Sequence, residues 1–416
     1  MLDIKKIRED RKEVETALKK RLGDVSLGLD EIILLDDKRK ELIPKVENLK
    51  AEKNKLSKAK PDQETIEKIK QSNLDIKKLE EELESVEKEL NEKMLSLPNI
   101  VAPEVVAGGK ENNKVSYTFK EKPNFDFKPK DHVELAENLD IIDYKRAVKM
   151  SGSGFWAYKG QGALLEWALL NYFIDFHTKN NYTFLIPPFL LNEASAYASG
   201  HMPKFRDDLF WVEDGLCLNA TAEMMLGNYH RDEILKEEDL PLKYFAYSPC
   251  FRREAGSYRQ EERGMIRGHQ FNKIEMFQYV KPEDSWKAFE EMKSQATKLL
   301  EGLGLHFQIS DLAAGDCSSA MAKTIDLEVW IPSMGIYKEV SSVSNALDYQ
   351  CRRGNMRFKD KDGKNVFLHT LNGSGLATSR LLPAILEQNQ QSDGSILIPD
   401  VLKKFLPTGM DKISLK

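Results

Sequence analysis

Hydrophobic positions follow two regimes along this 416-residue chain. Up to about residue 98 the apolar residues are sparse and recur every seven positions; beyond it they come in short runs separated by polar loops. In the first regime Leu35, Leu42, Leu49 and Leu56 form one seam, and Ile69, Ile76, Leu83, Leu90 and Leu97 form a second, supported by Leu79 and Val86. A heptad repeat marks a helix that buries one stripe against another helix. Because AKPDQET (residues 59–65) separates the seams, they predict an antiparallel coiled-coil hairpin closed by a tight turn. Each helix would run roughly 40 to 50 Å at about 1.5 Å per residue, long enough to project as an arm. Pro44 lies inside the first helix and removes one hydrogen bond at a cost of about 3 kcal/mol, which predicts a bend near residues 40–44.

The second regime begins after LPNIVAPEVVAGGKENN (residues 97–113), a linker rich in proline, glycine and asparagine. GALLEWALLNYFIDFHTK then sets Leu165, Leu169, Phe173 and Phe176 at helical spacing. The runs NYTFLIPPFLL, LKYFAYSPCF, HQFNKIEMFQYV, IDLEVWIP and GIYKEVSSVSN read as strands, and PEDSWKAFEEMKSQATKLLEGLG reads as a helix. Short polar loops between several of these strands favour a mixed, largely antiparallel sheet flanked by helices, an α+β fold. The expected division is residues 1–110, with the arm at about 31–97, and residues 111–416.

Composition changes this picture little. Hydrophobic residues make up 41% and charged residues 31% of the chain, and the net charge is −5, so a nucleic-acid surface must be a local patch. One such patch is available: residues 38–60 hold nine Lys/Arg against three acids, whereas residues 61–97 hold six against eleven. Mutual attraction of two solvated helices accounts for that asymmetry, and so does a row of phosphate contacts on the first helix. Cys217, Cys250, Cys317 and Cys351 lack metal-ligand spacing and read as reduced thiols. No apolar run is long enough for a membrane span, and MLDIKKIREDRKEV has neither signal- nor transit-peptide character, so the expected compartment is the cytoplasm.

Candidate chemistry concentrates in SPCFRREAGSYRQEERGMIRGHQFNKIEMFQYV, residues 248–280. Two strands flank a loop carrying Arg252, Arg253, Arg259, Arg263 and Arg267, and alternation puts Phe271, Lys273 and Glu275 on one face of the second strand. Such a face could stack an aromatic base at Phe271 and hold a hydroxylic or cationic group at Glu275, about 13 Å away, with an arginine neutralising a phosphate between them. By itself the segment is equally compatible with a charged hairpin around one core phenylalanine. No P-loop and no dinucleotide-binding glycine pattern occurs, so ATP would bind on an open sheet with arginines and a metal.

CFRREAGS, IRGHQFNKIEM, DLEVWIP, EVSSVSN and HTLNGSGLA…R resemble, in order and spacing, the signature blocks of seryl-tRNA synthetases of bacterial type. The resemblance also takes in the long hairpin, DHVELAENLDIIDY, SGHMPKF, TAE and PEDS. It implies a class II catalytic domain with a coiled-coil arm, a serine–tRNA ligase that uses ATP and Mg²⁺. Motif 1 (the helix before residue 180 and the strand ending at Pro188) would build a homodimer interface. Motif 2 would span 248–280, and motif 3 would run from LNGSG to Arg380.

By the same resemblance, Arg252 clamps the α-phosphate and the serine carboxylate, Glu254 contacts adenine, and Phe271 stacks on it. Arg253 completes the ATP-binding stretch of motif 2, and Glu339, Val340, Ser341 and Ser342 form another, with Glu339 and Ser342 as metal ligands. Arg380 meets the γ-phosphate; Thr221, Ala222, Glu223, Glu275 and Ser374 form the serine pocket. The implied partners are L-serine and tRNA(Ser), with tRNA(Sec) an open case, and no membrane.

Glu339 pairing only with Lys338 or Arg353, Glu328 as a second acid near the metal, and His269 as a structural strand residue are further expectations. Arg253, LNATAE, Ser379 and DCSSAMAK (residues 316–323) depart from the usual family pattern. Two other readings stay open: a paralogue that passes its amino acid to a carrier protein, and a catalytically silent RNA-binding homologue.

Overall fold

The heptad seams close on each other in the computed structural model, which describes residues 1–58, 62–255 and 264–414. The chain divides into two units, Met1–Ile100 and Val101–Lys416. In the first, the helices Leu29–Leu56 and Gln63–Ser96 pack together, about 42 and 51 Å long at 1.5 Å per residue. Leu42, Val46, Ile76, Val86, Leu90 and Met94 are buried along the seam. Asp62 starts the second helix by accepting from the Thr65 amide; part of the connecting turn, residues 59–61, lies outside the described residues. Pro44 does not end its helix, which continues for three further turns. The expected attraction between the helices is present as ion pairs Lys38–Glu82, Lys50–Glu80 and Lys93–Glu31 at 2.6–2.8 Å.

One buried acid ties this unit together. Asp36 is fully buried and meets Lys40 at 2.7 Å, Arg39 at 2.9 Å and Arg8, from the preceding helix Ile4–Glu9, at 3.1 Å. Burial pushes its carboxyl up, and the hydrogen bond and charge of Lys40, together with Arg39, outweigh burial and leave the pKa below the ordinary value.

The second unit spans Val101–Lys416. Residues of the linker hydrogen-bond into it: the Ala102 amide to Ala322, and Val106 and Gly108 carbonyls to Ala314 and Gly315. Its eight-stranded sheet runs, from one edge, through Lys114–Phe119, Phe307–Asp311, Lys323–Ile331, Ile336–Leu347, His369–Ala377, Gln270–Val280, Leu242–Phe251 and Thr183–Leu185. Every pairing is antiparallel except the last, Thr183–Leu185 on Leu242–Phe251. The helices Gln161–Lys179, Ser285–Gly302 and Thr378–Gln388 contact these strands and bury Leu165, Leu169, Phe173, Phe289, Leu299 and Leu381 in the main core with Phe245, Phe307 and Leu371.

Asp36→Asn should weaken the arm. The cations around Asp36 keep contact with water, so the loss should be about 1 kcal/mol rather than the several expected of a fully desolvated pair. A carboxyl held below its unfolded pKa stabilises above that value and loses the contribution as pH falls through its folded pKa. Helical circular dichroism melts of parent and variant should therefore differ at pH 7 and converge towards pH 3.

Candidate active site

The central strand Gln270–Val280 carries the site. Glu275 lies opposite Ser374 on one neighbour and Ala246 on the other; Lys273 lies opposite Ala377 and Ser248; Phe271 lies opposite Cys250. Directly opposed residues share a face. The large groups of the central strand are thus flanked by small ones, which leaves room above the sheet. The result is a cavity of about 560 Å³ walled by Phe271, Lys273, Glu275, Ser374 and residues from five other segments.

At one end the Arg252 guanidinium lies over the Phe271 ring, 5.1 Å from its centroid, and donates through Nε to the Ala220 carbonyl at 3.2 Å. His269 holds this arginine: its backbone carbonyl accepts from the Arg252 amide and its Nδ1 bonds the Arg252 carbonyl, both at 2.9 Å. That is the structural part expected of it. Beyond Arg252 the chain turns through Glu254, which has a left-handed backbone (φ 52°) and pairs with Arg267. Gly268 is required here, because a Cβ would lie 2.1 Å from the Trp156 ring. Arg259 and Arg263 lie outside the described residues.

At the other end Lys273, only 5% exposed, contacts Glu275 at 2.5 Å and donates to Thr221 Oγ1 at 2.7 Å. Asn372 and Ser374 donate to Glu275 at 3.3 and 3.4 Å. Glu223 accepts from Gln350 at 2.8 Å; desolvation and the Glu275 charge push its pKa up to about 7, against the pull of Lys273, Gln350 and Arg252. Burial, aided by the Arg252 and Lys273 charges, holds His201 on the wall down at about 3, so its ring is neutral.

The third wall comes from the strand Ile336–Leu347. Leu327 pairs with Ser341 but Glu328 pairs with Glu339, so Val340 is an extra residue in this strand. Residues three apart on a regular strand point to opposite faces; the bulge brings Glu339 and Ser342 to the same cavity. Glu339 pairs with Arg380, not with Lys338 or Arg353: Arg380 Nη1 donates to its carbonyl at 3.0 Å and its carboxylate at 3.4 Å. Glu328, opposite Glu339 on the neighbouring strand, stays off the cavity wall. It accepts from Gln308 and Ser310 at 2.8 and 2.9 Å. The acid beside Ser342 is Asp326, raised well above the ordinary range by burial and by Glu339, with Oδ1 buried and without a hydrogen-bond partner.

Thr221, Glu223, Arg252, Glu254, Phe271, Glu275, Glu339, Val340, Ser342, Ser374 and Arg380 thus meet on one cavity. Three others stand off its wall. Ala222 is buried before the short helix Glu223–Leu226, Arg253 is exposed with its amide on the Asp208 carbonyl, and Ser341 faces away to bond the Ser374 carbonyl at 2.6 Å. The departures are accommodated. Asn219 of LNATAE is buried and donates to Ser248 Oγ and the Pro249 carbonyl, while Ser318, Met321 and Ser379 line the cavity. Lys273, His201 and Gln350 were missed as site residues; only alternation, which placed Lys273 beside Phe271 and Glu275, signalled one of them.

A large antiparallel sheet carrying an open cavity, with Arg252 at one end and Arg380 on a side wall, is the architecture of a class II aminoacyl-tRNA synthetase core. Family models agree: residues 206–389 match the tRNA synthetase class II core domain (G, H, P, S and T), and residues 1–101 match the seryl-tRNA synthetase N-terminal domain. A serine–tRNA ligase 2 of Clostridium acetobutylicum is 54% identical over 99% of this chain and 100% of its own. The crystal structure of seryl-tRNA synthetase from Pyrococcus horikoshii complexed with ATP superposes with TM-score 0.90 at 35% identity, covering all of both chains. That of the cytoplasmic serine–tRNA ligase from Naegleria fowleri in complex with AMP gives 0.87 at 30% identity over 100% and 99%. The chain belongs to the seryl-tRNA synthetase family and is a serine–tRNA ligase.

A buried acid joins the three motif segments. Glu166, on the helix Gln161–Lys179, accepts through Oε1 from Asn272 on the central strand at 2.8 Å and from Thr378, which begins the helix bearing Arg380, at 2.6 Å. Burial pushes it up to about 7, although both hydrogen bonds pull the other way. A carboxyl whose folded pKa is raised contributes stability below its unfolded pKa and loses it as pH rises through the folded value. Glu166→Gln keeps the acceptor and cannot ionise, so the drop in stability between pH 5 and pH 8 should shrink by about 1–3 kcal/mol. A thermal-melt series with an equal or steeper drop in the variant would contradict this.

Proposed function

We propose that the cavity holds ATP at the Arg252–Phe271 end and L-serine at the Thr221–Glu275 end, and that serine is activated between them and passed to tRNA. The observation that carries this reading is the stacked Arg252–Phe271 pair sharing one cavity and one strand face with the Lys273–Glu275–Thr221 cluster. An aromatic ring suits adenine, and a guanidinium beside it suits the α-phosphate. Glu254, on the same cavity wall, would contact the adenine, and Arg380 would meet the γ-phosphate. A buried carboxylate at the far end would accept from the serine hydroxyl, and alanine would leave it unpaired.

The serine carboxylate is itself a nucleophile, so the reaction needs no side-chain base. It attacks the α-phosphorus in line and pyrophosphate leaves; a 3′-terminal hydroxyl of the tRNA then attacks the seryl carbonyl of the adenylate, the bond to the phosphate oxygen breaks, and AMP leaves with its phosphate taking up the hydroxyl proton. Arg252 and Arg380 position the triphosphate and stabilise the charge that develops on the transferring group. Glu339 and Ser342 supply oxygen donors on one wall, and the unpartnered Asp326 Oδ1 lies behind Ser342. These fit a hard cation. No group of three acidic, histidine or cysteine side chains gathers among the described residues, so water and phosphate oxygens would complete the shell, the habit of Mg²⁺. When bound, Mg²⁺ would neutralise phosphate charge.

tRNA(Ser) is the proposed macromolecular partner, met by the basic first helix of the arm through shape and backbone contacts. Exposed Leu164, Trp167, Phe184 and Ile186, on the motif 1 helix and beside the edge strand, favour a homodimer. No described helix is long and apolar enough to cross a membrane, and the cytoplasm suits this chemistry.

Arg252→Ala should lower serine-dependent ATP–pyrophosphate exchange by at least 1,000-fold, about 4 kcal/mol, while tRNA binding stays within a few-fold of the parent. Normal exchange would refute the role. Deleting residues 31–97 should spare exchange and abolish charging of total tRNA, with tRNA(Sec) assayed separately; charging that survives would give the arm another purpose.

A further inference from the structure

Lys273 is a buried cation at the amino-acid end of the cavity, and its hydrogen bonds fix the polarity of its neighbours. Thr221 Oγ1 accepts from Lys273 Nζ at 2.7 Å and from the Glu223 amide at 3.2 Å. A hydroxyl has two lone pairs, so with both engaged Thr221 can offer a ligand only its O–H. The Lys273 ammonium also lies 2.5 Å from Glu275 Oε2, buried with it at 5% and 1% exposure. A buried carboxylate without a paired cation would take up a proton and lose part of its acceptor capacity. Two carboxylates, Glu223 and Glu275, share the pocket, and Lys273 brings its net charge from −2 to −1, a match for one ammonium.

We propose that Lys273 is a positioning residue for amino-acid selection: it holds Thr221 as a donor and orients Glu275 as an acceptor, so the pocket reads a zwitterionic hydroxy amino acid by donor–acceptor polarity as well as by size. This rests on the placement of serine given above. Lys273 acts through Thr221 and Glu275, whereas the ATP end, held by Arg252 and Phe271, does not depend on it.

The charged and titratable groups facing this point are Glu223, Glu275, His201, Arg252 and Cys250. Lys273 is among the groups that lower the Glu223 pKa, so removing its charge makes Glu223 harder to ionise. Serine-dependent pyrophosphate exchange by full-length parent, Lys273→Met and Lys273→Arg tests the inference. The methionine variant should raise the KM for serine at least tenfold, keep the KM for ATP within twofold, and move the acid limb of kcat/KM for serine to higher pH. The arginine variant keeps the charge, so its acid limb should stay at the parent position even if its KM rises; it also serves as the test should the methionine variant not fold. A serine KM within twofold of the parent in Lys273→Met, or an arginine variant whose acid limb shifts, would overturn the proposal, as would parallel increases in both KM values. A parent with no serine-dependent exchange would instead refute the placement of serine.

Discussion

Everything the cavity does depends on the register of Gln270–Val280 between its two antiparallel neighbours. With Glu275 opposite Ser374 and Ala246, the residues Phe271, Lys273 and Glu275 face the cavity while Ile274 and Met276 enter the core. A slip of one residue would exchange those sets, burying an ion pair under helices and exposing apolar side chains. The helix-covered face enforces the register, because a misplaced Lys273 there would meet Phe289, Met292 and Leu299 with no polar partner. Core packing, and not the polar groups themselves, therefore sets the distance between the two ends of the site.

Much of this was legible in the sequence because the relevant patterns are local. The heptads of the arm, the alternation across Phe271, Lys273 and Glu275, and the strand-like runs of the sheet each span a single element. What was not legible depends on pairing. Nothing in EVSS shows that Val340 is an added residue; that appears only when Leu327 meets Ser341 and Glu328 meets Glu339. Asp326, rather than Glu328, is the acid near Ser342 for the same reason. The edge strand Lys114–Phe119 escaped although Val115, Tyr117 and Phe119 alternate with polar residues; it adjoins the Pro/Gly-rich linker, and all its side chains but Phe119 are exposed. Composition cannot show that a Pro/Gly-rich linker hydrogen-bonds into the sheet unit.

The site and the surface proposed for dimerisation are close in the covalent chain and joined through the interior. Trp167 is half exposed, whereas its neighbour Glu166 is buried and accepts from both Asn272 and Thr378. Asn272 separates Phe271 from Lys273, and Thr378 is two residues before Arg380, so one carboxyl oxygen ties the backbone at Phe271 and Lys273 to the start of the helix that bears Arg380. Because this reaction relies on placement and charge rather than on a side-chain base, an error of about 1 Å in that spacing matters more than the loss of any single proton-transfer group would. A partner packed against the helix Gln161–Lys179 would restrain Glu166 and, through it, all three. The exposed tryptophan and the buried acid are adjacent on one helix, so the surface proposed for dimerisation and the hydrogen bonds behind the cavity lie one residue apart.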